Sequence, residues 1–484
     1  MAGIGFELKK LFHKKSAVGY LRACSYTAIV TIGPFILMLL MILFIQAMLH
    51  SMNNSYQVEQ LFLASVIYPL IFSQIASSGF AMLITRFAAD KIYRKEYESV
   101  VPSLYGIITM VLLVASIPAI WFLWDAPLNI MLKLATYILY MELNIIWIQG
   151  VYLSALKDYR KIIQSYSVGV TVTVVLAYLV TKVLIPDIVT GLLVTIDIGM
   201  FLVMTMLLLN IIRFFTEVNN CHFSFLQYFE KYRSLFFINI CYYLGLYCPI
   251  FFIWRSPLGL KVADTYLLAP AYDVATFYAF LSLVPIAIVF VISTELNFYD
   301  KYAIYFKLIT GKGNYREIED AKQAMLQVLW SEIRNLMEIQ LVVTFIFLAL
   351  GNYLLPWLGL TYDSVHIYNV LLIGAYLTGM TQYFLIIMLY FEDRRGALSI
   401  ASFFLAANIV FNYISVCLGE NTYGFGLFLA AFLTLSLAMM RLIYYTNRID
   451  YFVFCTQPVL NKIEEGMISR WLSRWYPVQQ DKYK

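Results

Sequence analysis

Residues 100–124 read VVPSLYGIITMVLLVASIPAIWFLW, 25 consecutive positions without a charge. At 1.5 Å per residue this run makes a helix of about 37 Å, longer than the roughly 30 Å hydrocarbon core of a bilayer. A helix apolar on all sides has no face to offer water, so the stretch is predicted to cross a membrane. The same window applied outward in both directions gives twelve spans: 26–49, 61–84, 100–124, 128–156, 162–183, 189–212, 235–254, 272–296, 336–358, 366–390, 397–418 and 423–440. The fold class is therefore all-α integral membrane. The least sharp boundary lies between 235–254 and 272–296, where the connecting RSPLGLKVADTYLLAPAY is itself fairly apolar.

Composition points the same way. Of 484 residues 62% are hydrophobic and 13% charged, against roughly 25% charged in a soluble domain, so the chain cannot furnish a water-facing surface of its size. The six cysteines form no C-x-x-C pair and only four histidines are present. Neither a disulfide framework nor a zinc site is expected.

Lys and Arg collect on the cytoplasmic side of membrane proteins. With the N-terminus inside, the segments 1–25, 85–99, 157–161, 213–234, 297–335, 391–396 and the tail from 441 hold 30 of the 34 basic residues. Miscounting one span would scramble that alternation, so both termini are expected in the cytoplasm. The organisation that follows is a cytoplasmic amphipathic start (1–25), a six-helix lobe (26–212), a cytoplasmic linker (213–234), a second six-helix lobe (235–440) with a cytoplasmic loop (297–335), and an amphipathic tail (441–484). The opening MAGIGFELKKLFHKK places Ile4, Leu8, Leu11 and Phe12 at helical spacing among four lysines. The apolar run after it is too long for a signal peptide and ends at no A-x-A-like site, so the start is expected to stay and to lie on anionic lipid.

Two six-helix lobes invite a search for a repeat. ITRFAADKIY at the exit of span two and STELNFYDKY at the exit of span eight align Thr85 with Thr294 and Asp90-Lys91 with Asp300-Lys301, allowing one insertion. Pro34 in span one and Pro249 in span seven fall six spans apart. A proline frees a backbone carbonyl, which lipid tolerates only beside protein or a wet cavity. The helices carrying them either line a central cavity or are merely shaped by them for packing. Arg86 and Glu295, pseudo-equivalent at inner helix ends, are candidates for a charge latch.

Few ionisable groups lie within spans. Glu142, mid-span in TYILYMELNIIWIQG, would cost roughly 2.5–3.5 kcal/mol if charged in lipid, so it should face protein or water. Gln149, seven residues on, shares its helical face, and Asp197 sits toward the outer part of span six. Each carboxyl is either a transport group or a neutral structural one. Aromatic residues make up 17% of the chain. Tyr243 and Tyr247, with Tyr242, Tyr272 and Tyr278 on spans seven and eight, are candidates for a sugar-contacting surface, although tyrosine also populates membrane interfaces. No Walker motif, G-x-S-x-G, H-E-x-x-H or mid-span histidine occurs, and TGKGNY at 310–315 lacks P-loop spacing. A transporter, not an enzyme, is expected, without cofactor or nucleic-acid partner.

The opening MAGIGFELKKLF, supported by TRFAADKIY, resembles the start of PelG-type exporters of the Pel exopolysaccharide system, within the polysaccharide-transporter and lipid-flippase superfamily. The resemblance implies two six-helix lobes around a central cavity, alternating access, and export of an N-acetylgalactosamine-rich polymer of biofilm matrix. It also implies two partners, a cytosolic glycosyltransferase and a cyclic-di-GMP-binding membrane subunit, and carries over no transport residues. Flipping of a lipid-linked oligosaccharide, cation-coupled antiport on the same fold, and a multispan glycosyl- or acyltransferase are the alternatives. A polymer emerging from a synthase needs a handover surface. The candidates are IEDAKQAMLQVLWSEIRN, with Met325 and Leu329 on its apolar stripe, and the tail, where Trp471 and Trp475 stand among Arg470 and Arg474.

Overall fold

The structure, a computed structural model, describes residues 17–52, 54–156, 159–182, 187–215, 219, 221–311, 313–357, 360–455 and 470. Within them run the helices α1 (Ala17–Ser51), α2 (Tyr56–Tyr93), α3 (Val100–Trp124), α4 (Ile130–Leu156), α5 (Tyr159–Lys182), α6 (Ile188–Phe214), the short α7 (Leu226–Lys231) and α8 (Arg233–Ile253). A two-stranded hairpin, β1 (Leu260–Val262) and β2 (Tyr266–Leu268), leads to α9 (Pro270–Leu281), α10 (Val284–Ile292), α11 (Tyr299–Thr310), α12 (Tyr315–Trp357), α13 (Tyr362–Tyr390), α14 (Arg394–Leu418) and α15 (Phe425–Asn447). Twelve helices among the described residues are long and apolar enough to cross a membrane, with α9 and α10 together making the eighth. Each coincides with one of the twelve runs read from the sequence.

The helix ends are chemically specified. Asp187 accepts from the Thr190 amide and hydroxyl ahead of α6, and Thr361 accepts from the Ser364 amide ahead of α13, each answering a donor that the first helical turn leaves open. Pro270 opens α9 at a position where its missing N–H costs nothing. Gly419, at φ +100°, stops α14 in a conformation that a Cβ would oppose.

Two compact units divide the chain. One comprises chiefly Leu37–Leu244 with Lys261–Tyr266, the other the start of the chain up to Ile36, Gly245–Leu260 and Leu267–Ile449. This division does not fall at 213–234. It passes through α1 just after Pro34 and through α8 just before Pro249.

In the first unit α2 to α6 pack through small residues, as bundles in lipid do; Gly169 and Gly199 let α5 and α6 approach until a Cβ on either would strike the other helix. The described part of 213–234 is docked on this unit. The Asn219 amide donates to the Glu98 carbonyl, Phe225 is buried, and Gly106 of α3 sits directly beneath the His222 carbonyl.

In the second unit the segment 297–335 is mostly helical. α12 has 43 residues, about 64 Å of helix, so its first half projects past the roughly 30 Å core. α11 lies along that half. Met325 and Leu329, expected as a docking surface, are 0% and 2% exposed, while Tyr305 of α11 is fully buried. Both side chains are buried within the chain and leave no exposed surface for a partner.

Candidate functional site: a buried carboxyl pair in the first unit

Glu142 lies twelve residues into α4 and Asp197 nine residues into α6, about 18 Å and 14 Å along their helices and far from either end. α4 packs on α6 in the first unit, and the two carboxyl groups are within electrostatic reach of one another. Both are buried. Glu142 Oε2 and Asp197 Oδ1 each lack a hydrogen-bond partner, and among the described residues no ion pair involves either group.

Two neighbouring carboxylates without a cation cannot both stay charged in a low-dielectric interior. A proton or a bound cation has to neutralise the pair. Among the described residues no group of three or more His, Cys, Asp and Glu is assembled for a metal ion.

Gln149, 1% exposed, brings a further unpartnered acceptor, Oε1. It stands two helical turns from Glu142 on the same face of α4, and helical side chains lean toward the N-terminus, here toward Glu142. Asn144, also on α4 and fully buried, donates to the Tyr140 carbonyl and leaves its own Oδ1 unpartnered. Sequence reading missed Asn144, since a neutral polar residue inside a span raises no alarm until its partners are known.

In the second unit Asp273 and Asp393 have partners. Asp273 accepts from the Trp254 indole at 3.0 Å and from the Ala269 amide at 2.9 Å. Asp393 receives two parallel hydrogen bonds from Arg441. Asn408, Asn412, Thr378 and Thr434 donate to carbonyls one turn back in their own helices. Among the described residues these two carboxylates are satisfied, whereas Glu142 and Asp197 of the first unit each keep an unpartnered oxygen.

The remaining candidates do not join the pair. Tyr243 is half-buried against Tyr242 in the first unit, whereas Tyr247 belongs to the second. Pro34 and Pro249 sit inside the continuous helices α1 and α8. Arg86 pairs with Asp90 at 3.4 Å and lies over the Tyr232 ring, both within its own unit. Glu295 falls in a π-helical turn, Ser293–Phe298, and its side chain is outside the described residues. Trp471 and Trp475 also lie outside them.

A family model described as "PelG: Putative exopolysaccharide Exporter (EPS-E)" matches residues 1–454. No curated protein sequence matches. Among solved structures, the outward-facing conformation of a multidrug resistance MATE family transporter of the MOP superfamily is similar over 89% of this chain and 97% of that one, at 13% identity and TM-score 0.60. A MATE in the bent conformation matches over 88% and 96%, at 13% identity and TM-score 0.56. A MOP superfamily transporter from Pyrococcus furiosus Vc1 (DSM3638) matches over 88% and 96%, at 14% identity and TM-score 0.55. Identities this low speak for the fold alone. Family and fold are those of transporters, not enzymes. The chain is a multi-pass membrane protein that belongs to the PelG exopolysaccharide exporter family and carries a MATE-like fold.

Proposed function

We propose that this chain exports a Pel-type, N-acetylgalactosamine-rich exopolysaccharide across the bacterial cytoplasmic membrane into the biofilm matrix. It does so by alternating access, with both termini in the cytoplasm, and a proton or cation taken up at Glu142 and Asp197 drives the cycle. The family match supports the cargo class. The observation that carries the mechanism is the pair of buried carboxyl groups with unpartnered oxygens in the first unit. A neutralising ion that comes and goes changes the cost of burying that pair, and so shifts a two-state equilibrium by its differential affinity for the two states.

A cytosolic glycosyltransferase and a cyclic-di-GMP-binding membrane subunit are the proposed partners. Their docking surface is not the Met325–Leu329 stripe, which is buried within the chain. In a strain lacking this chain, polymer should still be made but be retained inside the cell or degraded there. Undiminished secretion by that strain would overturn the proposal. Secretion of lipid-linked short chains in place of free polymer would favour the flippase alternative.

A further inference from the structure

Leu433, Leu437, Met440 and Tyr444 are all exposed, and their spacing puts them on one face of α15. From Leu433 to Tyr444 the stripe runs about 16 Å, close to the depth of one leaflet in a hydrocarbon core of roughly 30 Å. Arg448 continues it by one turn as the C-cap of the helix, at the expected cytoplasmic end of the last span.

An arginine beside hydrocarbon ordinarily snorkels outward, toward water. Arg448 turns the other way, back along the span: its Nη1 donates to the Tyr444 hydroxyl at 3.1 Å, and its Cζ lies 4.8 Å from the centre of that ring. The negative end of α15 favours a cation at this position but would draw the guanidinium to the last carbonyls, not to a phenol. Arg441 stands over the same ring at 5.6 Å, with its charge met by Asp393. Arg448 makes no ion pair among the described residues, with Asp450 or any other acid. Arg395, exposed in the first turn of α14, makes none either. The two helix ends are tied together by the Asp393–Arg441 pair and by the Tyr445 hydroxyl, which donates to the Phe391 carbonyl at 2.7 Å.

We propose that this end of α15 seats an anionic phospholipid, with the headgroup phosphate on the free N–H groups of Arg448 and one acyl chain along Leu433–Tyr444. A guanidinium offers paired donors that match phosphate oxygens, and the Tyr444 ring and hydroxyl hold it facing the headgroup layer. Arg395 adds positive charge on the neighbouring helix. A soluble anion would use the cations and leave the apolar stripe idle, so the occupant is a lipid, and the cytoplasmic leaflet is where anionic lipid attracts basic segments. The site lies wholly in the second unit and does not depend on what the chain exports.

The test is native mass spectrometry of the full chain in detergent, titrated with phosphatidylglycerol and with phosphatidylcholine of the same acyl chains. The parent should retain phosphatidylglycerol about fivefold more tightly or better, and an excess of inorganic phosphate should not displace it. Arg448→Gln should abolish the preference, and Arg448→Lys, which keeps the charge without the paired donors, should restore only part of it. Tyr444→Leu keeps the stripe apolar but releases the guanidinium, so it should weaken the preference several-fold. Arg213→Gln, at the end of α6, removes the same charge elsewhere and should leave the preference intact. Equal retention of the two lipids by the parent overturns the site, as does an unchanged preference in Arg448→Gln. A loss in Arg213→Gln as large as in Arg448→Gln would reduce the effect to diffuse charge, and displacement by phosphate would make it a site for a free anion; either result overturns the lipid assignment.

Discussion

Asp393 offers a quantitative check on how the second unit is held together. It sits at the N-cap of α14, accepting from the Gly396 amide, and receives Arg441 Nε at 2.8 Å and a second guanidinium nitrogen at 2.9 Å from α15. The carboxylate side chain is 6% exposed and the guanidinium 30%. Breaking a buried pair by removing one charge costs roughly 3–5 kcal/mol. Water still reaches about a third of Arg441 and returns part of that, leaving about 2–3 kcal/mol for Asp393→Asn, since asparagine caps a helix as well as aspartate does. Asp393→Ala also forfeits the cap, about 1 kcal/mol more. At about 2–4 °C per kcal/mol for a unit of this size, the Asn variant should unfold about 5–10 °C lower in detergent, followed by tryptophan fluorescence, and the Ala variant a few degrees lower again. Arg441→Met alone should be at least as damaging, because it strands the more deeply buried charge. Combining it with Asp393→Asn should recover part of the loss. An Asn variant within 1 °C of the parent, or strictly additive single changes, would refute the reasoning.

Two further outcomes follow from topology and backbone geometry. Single cysteines at Asn54 and Asn421, in a background without native thiols, should react with an impermeant reagent from outside, and one at Lys312 only after the membrane is opened; labelling at Lys312 in intact cells would contradict the orientation. Ala263, in the turn between β1 and β2, has a φ of +47°; Ala263→Asn or Ala263→Gly should relieve this left-handed conformation and stabilise the protein by about 1 kcal/mol, read as a rise of a few degrees in Tm, and a fall would show that the methyl group is needed where it is.

The spans were legible because lipid imposes a length and a polarity that few other solvents impose, and VVPSLYGIITMVLLVASIPAIWFLW leaves no second reading. Glu142 and Asp197 stood out for the same reason, as charges inside apolar runs. Their proximity was not legible, because periodicity orders residues on one helix and is silent about which faces of two helices meet. The stripe through Met325 and Leu329 was visible, but its cover was not: α11 precedes it by only a short turn, and helical spacing looks the same whether a partner or a neighbouring helix fills it. The hairpin was hidden in RSPLGLKVADTYLLAPAY, whose apolar residues serve a docked turn and blur two span boundaries.

The central claim is that export is energised through the carboxyl pair, and polymer secretion by Glu142→Gln and Asp197→Asn variants in the deletion strain tests it most directly. The amides keep shape and bury no charge, so both variants should reach the membrane at parental levels and unfold at parental temperature or slightly above it. Secretion should fall at least tenfold in each single variant and no further in the double, if both groups serve the same neutralisation step. Parental secretion by the double variant would contradict the account and leave Glu142 and Asp197 as structural residues.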